Sequence, residues 1–209
     1  MGDPTDITAE TWSGGFYELA IRLGPRDDNR LLAAHRFVWS DPNLRVRWRR
    51  LAGEPNMVPA SGYAPDSVDD AASFRGEALL PSDRRCSCMT WDVREEESQR
   101  DWFGLGLPLG ALAECGEPVR AFPFDERERV ARKSKKWRRP LDQWLADLGV
   151  RLFASIPFEF GVIGYEVSGE EPLPGIPSVS DRFVGYLLPG GRGSVDYLPP
   201  TRYGGYHLT

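Results

Sequence analysis

"RRCSCMTWD", residues 84 to 92, decides how this chain is read. Three readings compete for it: a metal site, a redox pair, or a β-strand with two small apolar residues. Structural zinc takes four ligands, usually in pairs two to four residues apart, so that a turn aims both sulfurs at one ion. Cys86 and Cys88 are separated by one residue, and Met89, Trp91 and Val93 carry an apolar pattern onward. A third ligand at Cys115 and a fourth at His35 or His207 have no sequence feature that draws them in. Arg84 and Arg85 can lower a thiol pKa, but only where the sulfur is exposed, and exposure is not readable here. Cysteine is among the residue types most often buried. The stretch is therefore expected to be a strand, with no metal and no cofactor.

Its neighbours agree. "FRGEALL" and "DWFGLGL" read as strands on either side, the second joined to the first stretch by the charged turn "EEESQR". In "GFYELAIRLG" (15–24), Tyr17, Leu19, Ile21 and Leu23 alternate with Glu18 and Arg22, the period of a half-buried strand. Asp27 or Asp28 caps a helix over "DNRLLAAHRFVWS", where Leu31, Ala34 and Val38 recur at helical spacing before Pro42. "NLRVRWRRL" alternates Leu44, Val46 and Trp48 with Arg45, Arg47 and Arg49, predicting a strand with one apolar and one basic face. Residues 52 to 73 lack a period and read as a long irregular loop. "LGALAE" is a short helical turn stopped by Gly116 and Pro118, and "VRAFPF" reads as a further strand.

Leu141, Trp144, Leu145 and Leu148 trace a helical stripe that Pro140 opens and Gly149 closes. "ERERVARKSKKW" reads as a second helix upstream, with a break near Arg139, because the residue before a proline disfavours helix geometry. "VRLFAS", "FEFGVIGYEV", "RFVGYLL" and "GSVDYL" then read as strands, and residues 199 to 209 as a mobile tail. Many strands without regular strand-helix alternation indicate an α+β fold. The expectation is one domain spanning 1–209: a mainly antiparallel sheet, two or three helices packed on it, and long loops.

The 209 residues carry 26 Lys and Arg against 31 Asp and Glu, a net charge of −5, which disfavours indiscriminate binding to nucleic acid or anionic membrane. The first twelve residues have no basic segment followed by an apolar one, and no apolar run approaches the roughly 20 residues that span a bilayer. Three cysteines are too few for a disulfide scaffold. A cytoplasmic protein without a membrane partner is expected.

Catalytic motifs are thin. "GLGLPLG" spaces Gly104, Gly106 and Gly110 like a loosened dinucleotide fingerprint with Asp125 downstream, but "ESQRDWF" lacks the apolar run of a buried parallel strand. A tight strand-to-turn connection explains it. "GGRGS" reads as a hairpin turn, since no Walker lysine follows. Glu18, Asp92 and Glu166 form an acid/base set only if they line one pocket.

Charge is distributed more tellingly. Residues 127 to 139 hold Arg127, Arg129, Arg132, Lys133, Lys135, Lys136, Arg138 and Arg139 against Glu128 alone; with Arg45, Arg47, Arg49 and Arg50 they make twelve of the 26 cations. The opposite pole is "DVREEESQRDW", with Asp92, Glu95, Glu96, Glu97 and Asp101 over Trp91 and Trp102. Such segregation points to a non-enzymatic protein that occludes or scaffolds another protein, a make-up suited to a bacterial immunity or inhibitor protein. Two alternatives use the same residues differently. One is a nucleic-acid-associated protein gripping phosphate through the basic segment and the Arg45, Arg47, Arg49 face, with Trp48 and Trp137 stacking on bases. The other is an enzyme with carboxylate chemistry.

Overall fold

In a computed structural model, the chain is described over residues 11–50, 57–60, 62–63, 65–119, 128–169 and 182–203, the side chains of 128–130 and 192 excepted. Nine strands, β1 (Phe16–Pro25), β2 (Leu44–Arg50), β3 (Met57–Pro59), β4 (Phe74–Leu79), β5 (Arg85–Glu95), β6 (Arg100–Pro108), β7 (Phe160–Tyr165), β8 (Gly185–Pro189) and β9 (Val195–Leu198), join in one sheet. Its order is β3-β2-β4-β5-β6-β1-β7-β8-β9, and every pairing of neighbours is antiparallel. Among the described residues four helices accompany it: α1 (Asp28–Trp39), α2 (Val68–Ala72), α3 (Leu109–Glu114) and α4 (Glu128–Ser155). The α+β class with a mainly antiparallel sheet is thus the observed one, with one helix more than expected.

"RRCSCMTWD" lies in β5, and Cys86 and Cys88 are buried there. The pleat explains the two-residue spacing, because alternate side chains share a face. That face carries the main core. Leu19, Ile21, Phe103, Leu105 and Ile163 of the sheet pack with Leu31, Ala34 and Val38 of α1, Leu112 of α3 and Leu141, Leu145, Leu148 and Leu152 of α4. Each such side chain contributes roughly 1.5–3 kcal/mol when fully buried.

The opposite face is covered as well. Ala20, Trp102, Phe160, Val162, Val167, Val184 and Tyr186 form a second cluster there, with Trp91 packed against it. Glu18, expected on a polar face, is therefore buried. The glycines of "GLGLPLG" find their reason on this side. A Cβ at Gly104 would sit 2.1 Å from the Trp91 ring, and one at Gly106 would sit 3.0 Å from Phe16. Both lie inside β6, under neighbouring aromatic rings, so they are sheet residues and not a turn.

Local signals place α1 and α3 as read. Asp27 accepts hydrogen bonds from the Asn29 and Arg30 amides and caps α1. At the end of α3, Glu117 N–H donates to Leu112 O, Gly116 N–H donates to Ala113 O, and Gly116 adopts φ +80°, a Schellman arrangement around Cys115. "GGRGS" is the β8–β9 turn, with one 3₁₀ turn at Gly191–Gly193.

Several expectations need correction. α4 runs unbroken through Pro140 and Gly149 to Ser155, so "VRLFAS" is helix and Gly149 is no cap. Pro140 points to solvent, while Trp137 and Leu141 beside it are buried and hold the helix on the sheet. Gly149 lets the helix lie close on the sheet, since a Cβ there would lie 2.3 Å from Leu187 Cδ1. The irregular 52–73 segment contains β3, which extends the sheet beside β2, and α2, capped by Ser67. "VRAFPF" beyond Val119 and the tail from residue 204 lie outside the described residues; Tyr203, just before them, is buried. No helix among the described residues is long and apolar enough to cross a membrane.

Candidate functional site

The first half of α4 is amphipathic in an unusual way. At 100° per residue, Trp137, Leu141, Leu145 and Leu148 fall on one side, and Arg132, Lys133, Lys135, Lys136 and Arg139 fall on the other. The apolar side is buried and the five cations are exposed. Among the described residues, Lys133, Lys135, Lys136 and Arg139 form no ion pair. Lys135 alone has an aromatic neighbour, its Nζ 5.9 Å from the Tyr203 ring centre.

This arrangement works against the helix that carries it. The last turn of α4, where cations would complement the macrodipole, has none. Like charges three or four residues apart, such as Lys135 with Arg139 and Lys136 with Arg139, repel by about 0.2–0.5 kcal/mol per pair. The cluster is therefore slightly unfavourable to α4 itself.

Arg138, within the same basic run, behaves differently. It is fully buried, and its Nε donates to the Tyr17 hydroxyl at 3.0 Å while Nη2 donates to the Phe183 carbonyl at 2.8 Å. Its guanidinium stands 5.4 Å and 5.1 Å from the Tyr17 and Tyr203 ring centres. The Tyr17 hydroxyl in turn donates to Asp142 Oδ1. Burial pushes the Asp142 carboxyl up to about 6, against the pull of Arg138 and Tyr17. Arg138 is a cornerstone of the core and is not on the surface where the basic segment was expected to present it.

Beside the exposed cations, α3, α4 and the turn before β5 enclose a cleft of about 300 Å³. Leu80, Pro81, Leu112, Pro118, Trp137 and Leu141 make it apolar, and Lys136, Glu117 and Ser82 stand among its lining. Ser82 Oγ donates to Glu117 Oε1 at 2.7 Å across the cleft's wall. The volume suits one large apolar side chain or a small ligand. Periodicity gives Trp137 and Leu141 as core residues, but nothing local marks Leu80, Pro81 or Pro118 as their neighbours across a cleft. Arg139, counted in the basic run from the sequence, stands exposed with them.

The other basic candidates are arranged differently. A β-bulge at Arg47 shifts the β2–β4 register between Val46 and Trp48, so Arg45, Arg47 and Arg49 do not share one face. Arg45 is exposed, Arg47 pairs with Glu77 at 3.6 Å, and Arg49 pairs with Asp70 of α2 while lying over Phe74. Trp48 is buried, as is Trp137.

The acidic pole is partly structural too. Asp101 is buried, accepts from the Asp27 amide at 2.7 Å and pairs with Arg94 at 3.4 Å, which also meets Asp28. Glu95 accepts from Trp102 Nε1 at 2.6 Å and from Ser98, whose hydrogen bond holds its carboxyl below the usual range. Trp102 is buried and Trp91 is half-buried over Gly104. Only Glu96 and Glu97 of the five acids stand fully exposed, at the hairpin tip.

Asp92 accepts a hydrogen bond from, or ion-pairs with, His35 Nε2 at 3.1 Å, and His35 Nδ1 lies 2.9 Å from Thr90 Oγ1. Threonine, imidazole and carboxylate are thus in line, but His35 and Thr90 have no exposed surface, Trp39 Nε1 also donates to Thr90, and Phe103 stacks edge-on against the imidazole. The set knits α1 to β5. Glu18 lies across the sheet from it. Burial raises the Glu18 carboxyl to about 7 despite the Ser168 amide donating to it at 2.9 Å, with the nearby Glu166 charge adding a smaller push. Glu18 and Glu166 are brought together, and Asp92 is on the other side of the sheet, so the three do not line one pocket. His207 and Asp125 lie outside the described residues. No group of three or more His, Cys, Asp or Glu among the described residues is placed to hold a metal ion. In comparisons with protein-family models, characterised proteins and solved structures, nothing matches this chain.

Proposed function

We propose that this is a protein-binding protein that docks an acidic partner on the exposed cations of α4, with the adjoining cleft receiving an apolar side chain of that partner. The observation that carries the reading is Lys133, Lys135, Lys136 and Arg139 standing exposed and, among the described residues, without an ion pair, spaced so that they repel one another. An uncompensated positive field steers anionic surfaces toward it, and an apolar pocket at its edge gives the complex an anchor. An immunity- or inhibitor-like role, in which the partner's own site is occluded, fits such a surface. Three free cysteines support a reducing, cytoplasmic setting.

The test is a titration followed by backbone amide shifts, with polyglutamate and a DNA duplex as separate probes. Shifts confined to 132–139 and the cleft on adding polyglutamate are expected. Tighter, salt-steep binding of the duplex at the same residues would transfer the surface to nucleic acid. Absence of shifts with either probe would overturn both readings.

A further inference from the structure

Of the three cysteines, two come from distant parts of the chain and meet. Cys86 begins the buried run of β5, and Cys115 closes α3 inside the Schellman arrangement that fixes its backbone. The Cys115 thiol donates to the Arg85 carbonyl at 2.7 Å, which sets its sulfur beside the backbone that leads into Cys86, and each thiol perturbs the ionisation of the other. Their settings are unequal. Cys86 is buried, with its own Sγ 3.4 Å from the Ser87 carbonyl, whereas Cys115 is half-buried at the surface end of the helix. Arg84 lies over this end of α3, donating to the Cys115 carbonyl at 2.5 Å.

We propose that Cys115 and Cys86 form a peroxide-sensitive thiol pair, in which Cys115 reacts with hydrogen peroxide and Cys86 resolves the product into a disulfide fastening α3 to β5. Polarity within the pair supports the assignment of roles. The neighbouring Cys86 side chain holds the Cys115 thiol below its ordinary range, with the Arg84 charge assisting, while Cys115 in turn and burial push Cys86 well up. The thiolate is the nucleophile in such chemistry, and the accessible sulfur is the one that meets oxidant.

The Cys115 thiolate attacks one peroxide oxygen and breaks the O–O bond, giving a sulfenic acid and a hydroxide that is protonated to water. The Cys86 sulfur then attacks the Cys115 sulfur. An S–S bond forms, the S–O bond breaks, and the departing hydroxide takes the Cys86 proton and leaves as a second water. Two thiols are oxidised by two electrons in total, and the peroxide is reduced to water. Cys88 takes no part: it is fully buried and burial raises its thiol. The bond would tie together the two walls of the cleft, since Leu80 and Ser82 precede β5 and Leu112 and Glu117 flank Cys115.

The full chain, reduced and then treated with hydrogen peroxide, is analysed by free-thiol titration and non-reducing peptide mapping. Free thiols are expected to fall from three to one, with a single cross-linked peptide pair joining Cys86 to Cys115 that dithiothreitol releases. Cys86→Ser should leave a Cys115 sulfenic acid that dimedone traps, and Cys115→Ser should show no cross-link. A thiol count that stays at three, or Cys115 passing to sulfinic acid in the intact protein without cross-linking, would overturn the proposal. A disulfide involving Cys88 would do so as well.

Discussion

β2 and the first half of α4 are the two arginine- and lysine-rich stretches of this chain, and the fold treats them in opposite ways. In β2, Arg47 and Arg49 each meet a carboxylate, from β4 and α2 respectively. In α4, Lys133, Lys135, Lys136 and Arg139 meet none among the described residues. A strand inside a sheet has neighbours on both sides to supply counter-charges, whereas the outward face of a helix has only its own turns. The difference teaches that basic composition alone does not tell which cations the fold neutralises and which it leaves open to solvent.

The comparison breaks most sharply at Arg138, the one cation of the α4 run that faces inward among the described side chains. Arg138→Met should cost about 3–5 kcal/mol in urea unfolding, because it leaves the buried Asp142 and the Tyr17 hydroxyl without their charge partner. Lys135→Met, three residues away on the exposed side, should change stability by less than about 0.5 kcal/mol. Equal effects would mean that the inward and outward faces of α4 are wrongly assigned.

Next in size is a pH effect from the sheet's other face. Glu18 has a folded-state pKa of about 7, raised from 4.5, so the folded protein binds a proton that the unfolded chain has already released. Its contribution is fully present below about pH 4.5 and is lost as pH rises to about 7. Glu18→Gln should remove a decline on the order of 2–3 kcal/mol over that window and stabilise the protein at pH 8. Unfolding free energies measured from pH 4 to pH 8 check it, and an unchanged slope in the variant would contradict the burial argument.

Gly104→Ala should cost about 1–3 kcal/mol, since the new methyl has to displace the Trp91 ring. A neutral result would mean that Trp91 does not lie on β6. The smallest effects compare the two basic stretches directly. Arg49→Gln should destabilise by up to about 1 kcal/mol. Lys136→Gln should stabilise by a few tenths of a kcal/mol, by relieving repulsion from Arg139 and the neighbouring cations.

The fold was legible where signals are local. Alternation marked β1, β4, β5 and β6, and Asp27 and Gly116 marked the ends of α1 and α3. "VRLFAS" was misread because a short apolar run looks the same in a strand and in a buried helix. Pro140 suggested a break that the packing of Trp137 and Leu141 overrides. The bulge at Arg47 leaves no trace in an alternating sequence, yet it decides which way Arg49 points. At the site, the cations of α4 were visible but their isolation was not, because ion pairs join residues such as Arg49 and Asp70 that only the folded chain brings together. Cys86 and Cys115 show the same limit: their contact spans α3 and β5, and each alone reads as a small core residue.

Binding of polyglutamate, measured at low and at physiological salt, tests the central claim most directly when wild type is compared with two variants. One carries Lys133→Gln, Lys135→Gln, Lys136→Gln and Arg139→Gln; the other carries Arg47→Gln and Arg49→Gln. The α4 variant is expected to lose about tenfold or more in affinity with most of the salt dependence, and the β2 variant to stay within about twofold of wild type. Equal weakening of both, or a loss confined to the β2 variant, would contradict the account.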